Sequence, residues 1–253
     1  TGATYTSADF TGATWTNGRI CQSFSIGLCN REFLVNTYTT SIKFNPSVAM
    51  DNSGNFVVTW QSYTQDGNDP GIYAQRYTST GSVAGSEFQV NTYTTDIQGA
   101  PSVAMDNSGN FVVTWASSGQ DGSDRGIYAQ RYTSTGSVAG SEFQVNTYTY
   151  GNQSAPSVAM DNSGNFVVTW QSNTQDRNGL GIYGQRYDST GLVAGSEFRV
   201  NTYTTNDQSN PSVAMDNSGN IVVTWNSNFQ DDDGNGIYGQ RYDSTGLVAG
   251  SEF

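Results

Sequence analysis

The chain is 253 residues long, with 22 acidic against 10 basic side chains, no histidine, a single lysine (Lys43), 29 glycines and five prolines. A net charge of -12 excludes nucleic acid and anionic membrane surfaces as partners, because both need clustered cations. The lack of histidine excludes Ser-His-Asp and Cys-His catalysis and most zinc sites, and with only 13% charged residues the composition predicts an extracellular or cell-surface β protein that is not an enzyme.

The first 32 residues stand apart. Ala3-Thr-Tyr5, Ala8-Asp-Phe10 and Ala13-Thr-Trp15 repeat a small residue and an aromatic every five positions. This is similar to a short pentapeptide-repeat stretch, which implies a small cap or docking segment that needs neighbours to bury its faces. Cys21 and Cys29 lack the further ligands of a zinc site, so a local disulfide is expected, which suggests an oxidising compartment. No apolar stretch approaches the roughly 18 residues of a membrane span, so no membrane insertion is expected. A first residue of Thr leaves open both a removed leader and a longer parent chain.

From residue 33 onward a repeat dominates. Pro46, Pro101, Pro156 and Pro211 are 55 residues apart, as are Trp60, Trp115, Trp170 and Trp225. Residues 34–253 are therefore four units of 55. In the first unit, Ser47 to Asp51 reads as a strand, and Asp51-Asn-Ser-Gly54-Asn55 as a tight turn with Asp51 as its cap. Phe56, Val58 and Trp60 alternate with Val57 and Thr59 in a second strand. Ile72 to Tyr77 is the third and Glu87 to Thr92 the fourth. No segment has a helical period. Four antiparallel strands repeated four times predict an all-β fold, a four-bladed β-propeller spanning residues 33–253.

The repeat is out of phase with the chain. The fourth strand of the last unit has barely begun at Phe253, and its continuation, Phe33, Leu34, Val35, Asn36 and Thr37, lies ahead of the first unit. This segment is expected to complete the last blade, in cis to close a ring or in trans on a neighbour.

A meander puts the second turns and the inter-unit linkers at one end of the blades, and both vary between units. That end is the candidate recognition face, carrying Asp66, Asp121, Asp176 and Asp231 with Tyr93, Tyr148 and Tyr203. Drifting exposed loops are the plainer account of the variation. No metal or other cofactor is expected. Calcium at Asp66, Asp69, Asp121, Asp124, Asp231 and Asp233 is the alternative, although Arg177 spoils the pattern in the third unit. Arg76, Arg131, Arg186 and Arg241 are expected to pair with a repeated carboxylate such as Glu87 or Asp51.

Phe56-Val-Val-Thr-Trp60, Gln65-Asp-Gly67, Gly71-Ile-Tyr-Ala-Gln-Arg-Tyr77 and Glu87-Phe-Gln-Val-Asn-Thr92 resemble a repeat of large secreted bacterial proteins, often tandemly arrayed. The resemblance implies a propeller-like surface module and brings no catalytic residues. The Asp-box of sialidases is not matched, since Asp51 and Trp60 are nine apart and the Ser-x-Asp-x-Gly-x-Thr-Trp spacing is missing. The expectation is a non-enzymatic structural module, such as the subunit of a surface filament or layer, self-associating through its N-terminal segment. The alternative is a multivalent, lectin-like glycan binder.

Overall fold

A computed structural model of the chain describes residues 32–67 and 69–253. Cys21, Cys29 and the five-residue repeat lie outside the described residues. The chain forms two compact units, Thr1–Val35 and Asn36–Phe253.

Among the described residues the regular structure of the second unit is strands alone. Its first sheet is the meander β1 (Lys43–Met50), β2 (Phe56–Ser62), β3 (Gly71–Tyr77) and β4 (Phe88–Gln89). The second is β5 (Gln98–Met105), β6 (Phe111–Ser118), β7 (Arg125–Tyr132) and β8 (Phe143–Gln144). The third is β9 (Gln153–Met160), β10 (Phe166–Asn173), β11 (Leu180–Tyr187) and β12 (Phe198–Arg199). The fourth has three strands, β13 (Gln208–Met215), β14 (Ile221–Asn228) and β15 (Asn235–Tyr242). The all-β, propeller-like architecture follows the sequence reading. Among the described residues no helix is long and apolar enough to cross a membrane.

Local chemistry explains each element. Asp51 Oδ1 accepts from the backbone N–H of Ser53 (2.8 Å) and Asn55 (2.9 Å), while Asn55 Nδ2 donates to Asp51 Oδ2 (2.8 Å). Gly54, at φ +84°, supplies the left-handed residue this turn needs. The first strands begin earlier than the sequence reading has them, because a bulge lets the ladder step past proline. The register of β1 on β2 shifts between Phe44 and Ser47, and Asn45 takes φ 51° just before Pro46, which has no N–H to offer. The fourth strands are shorter than expected. After two ladder residues, Asn91 Oδ1 accepts the N–H of Ile72 at 2.7 Å, so a side chain takes over from the backbone.

The sheets pack face to face in sequence order. One apolar cluster joins the first and second sheets through Val57, Ile72, Val103 and Trp115. A second joins the second and third through Val112, Ile127, Phe166 and Trp170, and a third joins the third and fourth through Val167, Ile182, Val223 and Trp225. Each fully buried side chain of this size contributes roughly 1.5–3 kcal/mol.

Polar ties recur at the same three seams, and once more where Thr37 meets the first sheet. Glu87, Glu142, Glu197 and Glu252 each accept from the backbone N–H and hydroxyl of a threonine 50 residues earlier, namely Thr37, Thr92, Thr147 and Thr202. Two of the arginines take other partners than the expected Glu87 or Asp51 positions. Arg131 donates to the carbonyls of Ser189 and Thr190, and Arg186 to those of Ser244 and Thr245, all in the following sheet. Asp51 and Glu87 are occupied by nearer donors, the first in its own turn and the second by Thr37 and Gln65.

The predicted closure through Phe33, Leu34, Val35, Asn36 and Thr37 is not observed. The fourth sheet keeps three strands, and its edge position is taken by Phe253, which exchanges backbone hydrogen bonds with Gly239 at 2.8 and 3.0 Å. Thr37 binds Glu87 of the first sheet, and the outer faces of the first and fourth sheets stay open to solvent.

Candidate functional site

The second turns and the linkers do meet at one end of the sheets. Tyr63 N–H donates to Ile42 O (3.0 Å), Gln98 N–H to Pro70 O (2.8 Å), and Leu180 N–H to Asp207 Oδ1 (2.9 Å). Tyr203 donates its hydroxyl to Phe229 O at 3.3 Å.

A cluster of the same make-up recurs there in every unit, at the start of the third strand. In the second unit it comprises Tyr128, Asp121, Glu142 and Tyr93. Burial raises the Tyr128 phenol to about 12, and the charges of Asp121 and Glu142 and the nearby Tyr93 add to the effect. Tyr183 is raised to about 12 by burial and Asp176, with Arg199 opposing, and Tyr73 and Tyr238 move in the same direction beside Asp66 and Asp231. The structure thus brings together residues that are far apart in the chain. Asp121 and Tyr93 both act on Tyr128, Asp176 and Tyr148 on Tyr183, and Asp231 and Tyr203 on Tyr238.

Glycine makes the approach of the carboxylate feasible. A Cβ on Gly126 would lie 2.8 Å from Asp121 Oδ2, and one on Gly181 the same distance from Asp176 Oδ2. Gln89 Nε2 donates to Asp66 Oδ2 at 2.9 Å and Gln144 Nε2 to Asp121 Oδ2 at 3.3 Å. In the third unit Arg199 stands in the place of that glutamine, and Asp176 Oδ2 is buried without a hydrogen bond. Gln120 Nε2 donates to Glu142 Oε1 at 2.6 Å, and Gln65, Gln175 and Gln230 do the same to their own glutamates.

Tyr93, Tyr148 and Tyr203 are half-buried, not fully exposed. The aromatics that do project from this face are Tyr63, Tyr150 and Phe229, each present in one unit only and so not marked by the repeat. The loops are held in costly backbone geometry. Thr64, Gly119, Thr174 and Phe229 occupy one repeat position and all have positive φ, from 51° to 70°, although glycine fills it only once. Each non-glycine there costs about 1–3 kcal/mol, the kind of strain found where loops are shaped for contact.

Among the described residues no group of three or more acidic side chains gathers to hold a cation. Asp66 and Asp121 instead accept hydrogen bonds from Gln89 and Gln144.

No protein-family model matches the chain, and no curated protein is similar to it in sequence. Solved structures do resemble it. An α-L-arabinanase of Penicillium chrysogenum complexed with arabinobiose matches over 84% of this chain and 68% of its own, at 14% identity and a TM-score of 0.55. A thermostable family-43 glycoside hydrolase matches over 81% and 74%, at 13% identity and a TM-score of 0.50. The Hadza microbial sialidase Hz136 matches over 81% of this chain but 45% of its own, at 14% identity and a TM-score of 0.56.

Identities this low establish the fold alone. They nonetheless correct two expectations. This propeller-like fold is one that glycoside hydrolases use, which overturns the reading of a non-enzymatic structural or filament module. The exclusion of an enzyme falls with it. It rested on the absence of histidine and the low share of charged residues, whereas glycosidic bonds are cleaved by paired carboxylates, and this chain has 22 acidic residues.

Proposed function

We propose that the chain is a carbohydrate-binding, four-bladed propeller of extracellular setting, which engages glycans at several equivalent places on its loop face. The observation that carries this reading is the recurrent cluster of tyrosine, aspartate and glutamate at the loop end of the sheets, where Tyr63, Tyr150 and Phe229 are exposed. Aromatic faces stack on the apolar faces of sugar rings, while carboxylates and amides accept and donate to hydroxyls. The strained loop position supports it, as does a fold shared with an arabinanase complexed with arabinobiose.

The test is a glycan array followed by calorimetric titration with arabinan oligosaccharides and sialylated glycans. Binding should weaken at least about tenfold, the effect of about 1.4 kcal/mol, when Tyr63, Tyr150 and Phe229 are replaced together by alanine. An array without a hit, or a triple variant that binds unchanged, overturns the proposal. The same samples are assayed for release of reducing sugar, because Asp121 and Glu142 both bear on Tyr128 and glycosidic cleavage is carboxylate chemistry.

A further inference from the structure

The outer faces of the first and fourth sheets are the two halves of an interface that the chain already forms three times internally. In the fourth sheet a cleft of about 490 Å³ opens between Asn220, Ile221, Arg241 and Tyr242. The corresponding cavities of the first and third sheets are about 240 and 290 Å³, and there a methionine of the following sheet, Met105 or Met215, helps to line the space. Among the described residues no following sheet covers the fourth. At the other end of the array, the methionine of the same repeat position, Met50, is 60% exposed.

The flanking apolar residues tell the same story. Val103 and Val158 are 6% and 7% exposed against the preceding sheet, whereas Val48 is 62% exposed. Ile72, Ile127 and Ile182 are sealed at 0% by the following sheet, whereas Ile237 is 72% exposed.

The polar pairings are also present as halves. At each internal seam a first-strand serine hydroxyl accepts a valine N–H of the next sheet, with Ser47 to Val103, Ser102 to Val158 and Ser157 to Val213 all at 3.2 Å. Ser212 carries the same hydroxyl on the open fourth face, and Val48 the same N–H on the open first face. Arg241 likewise holds the place from which Arg131 and Arg186 reach the carbonyls of the next sheet. Ser79 and Thr80 hold the matching carbonyls on the first sheet.

We propose that a second copy of this chain docks head to tail, the first sheet of one copy on the fourth sheet of the other, with Met50 seated in the cleft beside Ile221 and Arg241. The occupant is a second copy because only that face supplies the apolar knob, the valine N–H and the paired carbonyls in the spacing that the three internal seams already use. Each copy offers one of each half, so the contact is heterologous. It is independent of the glycan-binding reading and involves the opposite ends of the array, not residues 1–32.

The experiment is sedimentation velocity on the 253-residue chain from micromolar to submillimolar concentration. Wild type should associate with rising concentration. Val48→Asp, which blocks the first face, and Ile237→Asp, which blocks the fourth, should each be monomeric. Mixed one to one, the two variants retain one good half each and should form a dimer that grows no further. Met50→Ala should weaken association at least about tenfold, since it empties the cleft. A wild type that stays monomeric throughout, single variants that still associate, or a mixture that stays monomeric overturns the proposal. So does a chain that associates only after residues 1–31 are deleted, because that segment would then be the occupant of the first face. Circular dichroism of both variants checks that the sheets are folded, and the mixing arm reads the interface even if either variant is less stable.

Discussion

Glu142 ties the first sheet to the second, and a graded set of substitutions measures that tie. Its carboxylate accepts from Thr92 N–H at 2.6 Å, Thr92 Oγ1–H at 3.0 Å and Gln120 Nε2–H at 2.6 Å. Glu142→Ala leaves three donors without an acceptor. Hydrogen bonds to charged groups are worth roughly 1.5–3 kcal/mol each, but water reaches the exposed Thr92 and replaces part of what is lost, so the expected cost is about 2–4 kcal/mol. Glu142→Gln should cost only about 1 kcal/mol. Its amide oxygen keeps Thr92, and once the Gln120 amide turns over its new N–H₂ can donate to Gln120 Oε1, which is buried without a partner in the wild type. Thr92→Val removes the hydroxyl and keeps the N–H, at about 1 kcal/mol, and should couple to Glu142→Ala by about the same amount in a double-mutant cycle. For a domain of this size each kcal/mol moves the melting temperature by about 2–4 °C, so tryptophan-fluorescence melting resolves the series. Equal losses for the alanine and glutamine variants, or a cycle with no coupling, would refute the geometry.

Three further outcomes follow from the same interior. Tyr128, Tyr183 and Tyr242 are each raised from 10.0 to about 12, so folding favours their protonated form. That stability is complete below pH 10 and is lost as pH rises toward 12, so absorbance at 295 nm should show these phenols ionising late and together with unfolding. An early titration near pH 10 with the fold intact would contradict their burial. Gly184→Ala should be neutral or stabilising by about 0.5 kcal/mol. Its Cβ would meet the Phe198 ring at 2.8 Å, but Ala74 and Ala129 already stand at that register position opposite Phe88 and Phe143, so the ring has somewhere to go. A loss above 1 kcal/mol in urea unfolding would show that the third sheet cannot make that shift. Trp170→Phe should cost about 1–2 kcal/mol, below the 3–5 of a full truncation, because the indole N–H it gives up is buried without a hydrogen-bond partner. A loss near 4 kcal/mol would mean the indole makes a contact not visible in the packing.

The sequence by itself determined the repeat, the strand order and the Asp51 turn. Alternation, the 55-residue period and the Asp-Asn-Ser-Gly-Asn chemistry are local properties, legible wherever the chain goes. It also determined that the variable loops share one end, since a meander allows no other arrangement. Only the tertiary structure decided the partners across the seams. Arg131 and Arg186, read as partners of a repeated carboxylate, meet backbone carbonyls that follow the third strand of the next sheet, and a carbonyl carries no letter in the sequence. Glu142 meets Thr92 because two sheets stack, not because 50 residues separate them. The loop-face clusters were half legible. Their aspartates and linker tyrosines repeat, but the buried third-strand tyrosine that joins them belongs to a periodic run indistinguishable from core. Closure shows the same limit most plainly. The phase of the repeat permits Phe33 to Thr37 to complete the last sheet, whereas the fold shows that sheet with three strands and Phe253 alone paired to Gly239 at its edge. Periodicity specifies which faces are complementary, and only the folded geometry specifies which of them meet within one chain.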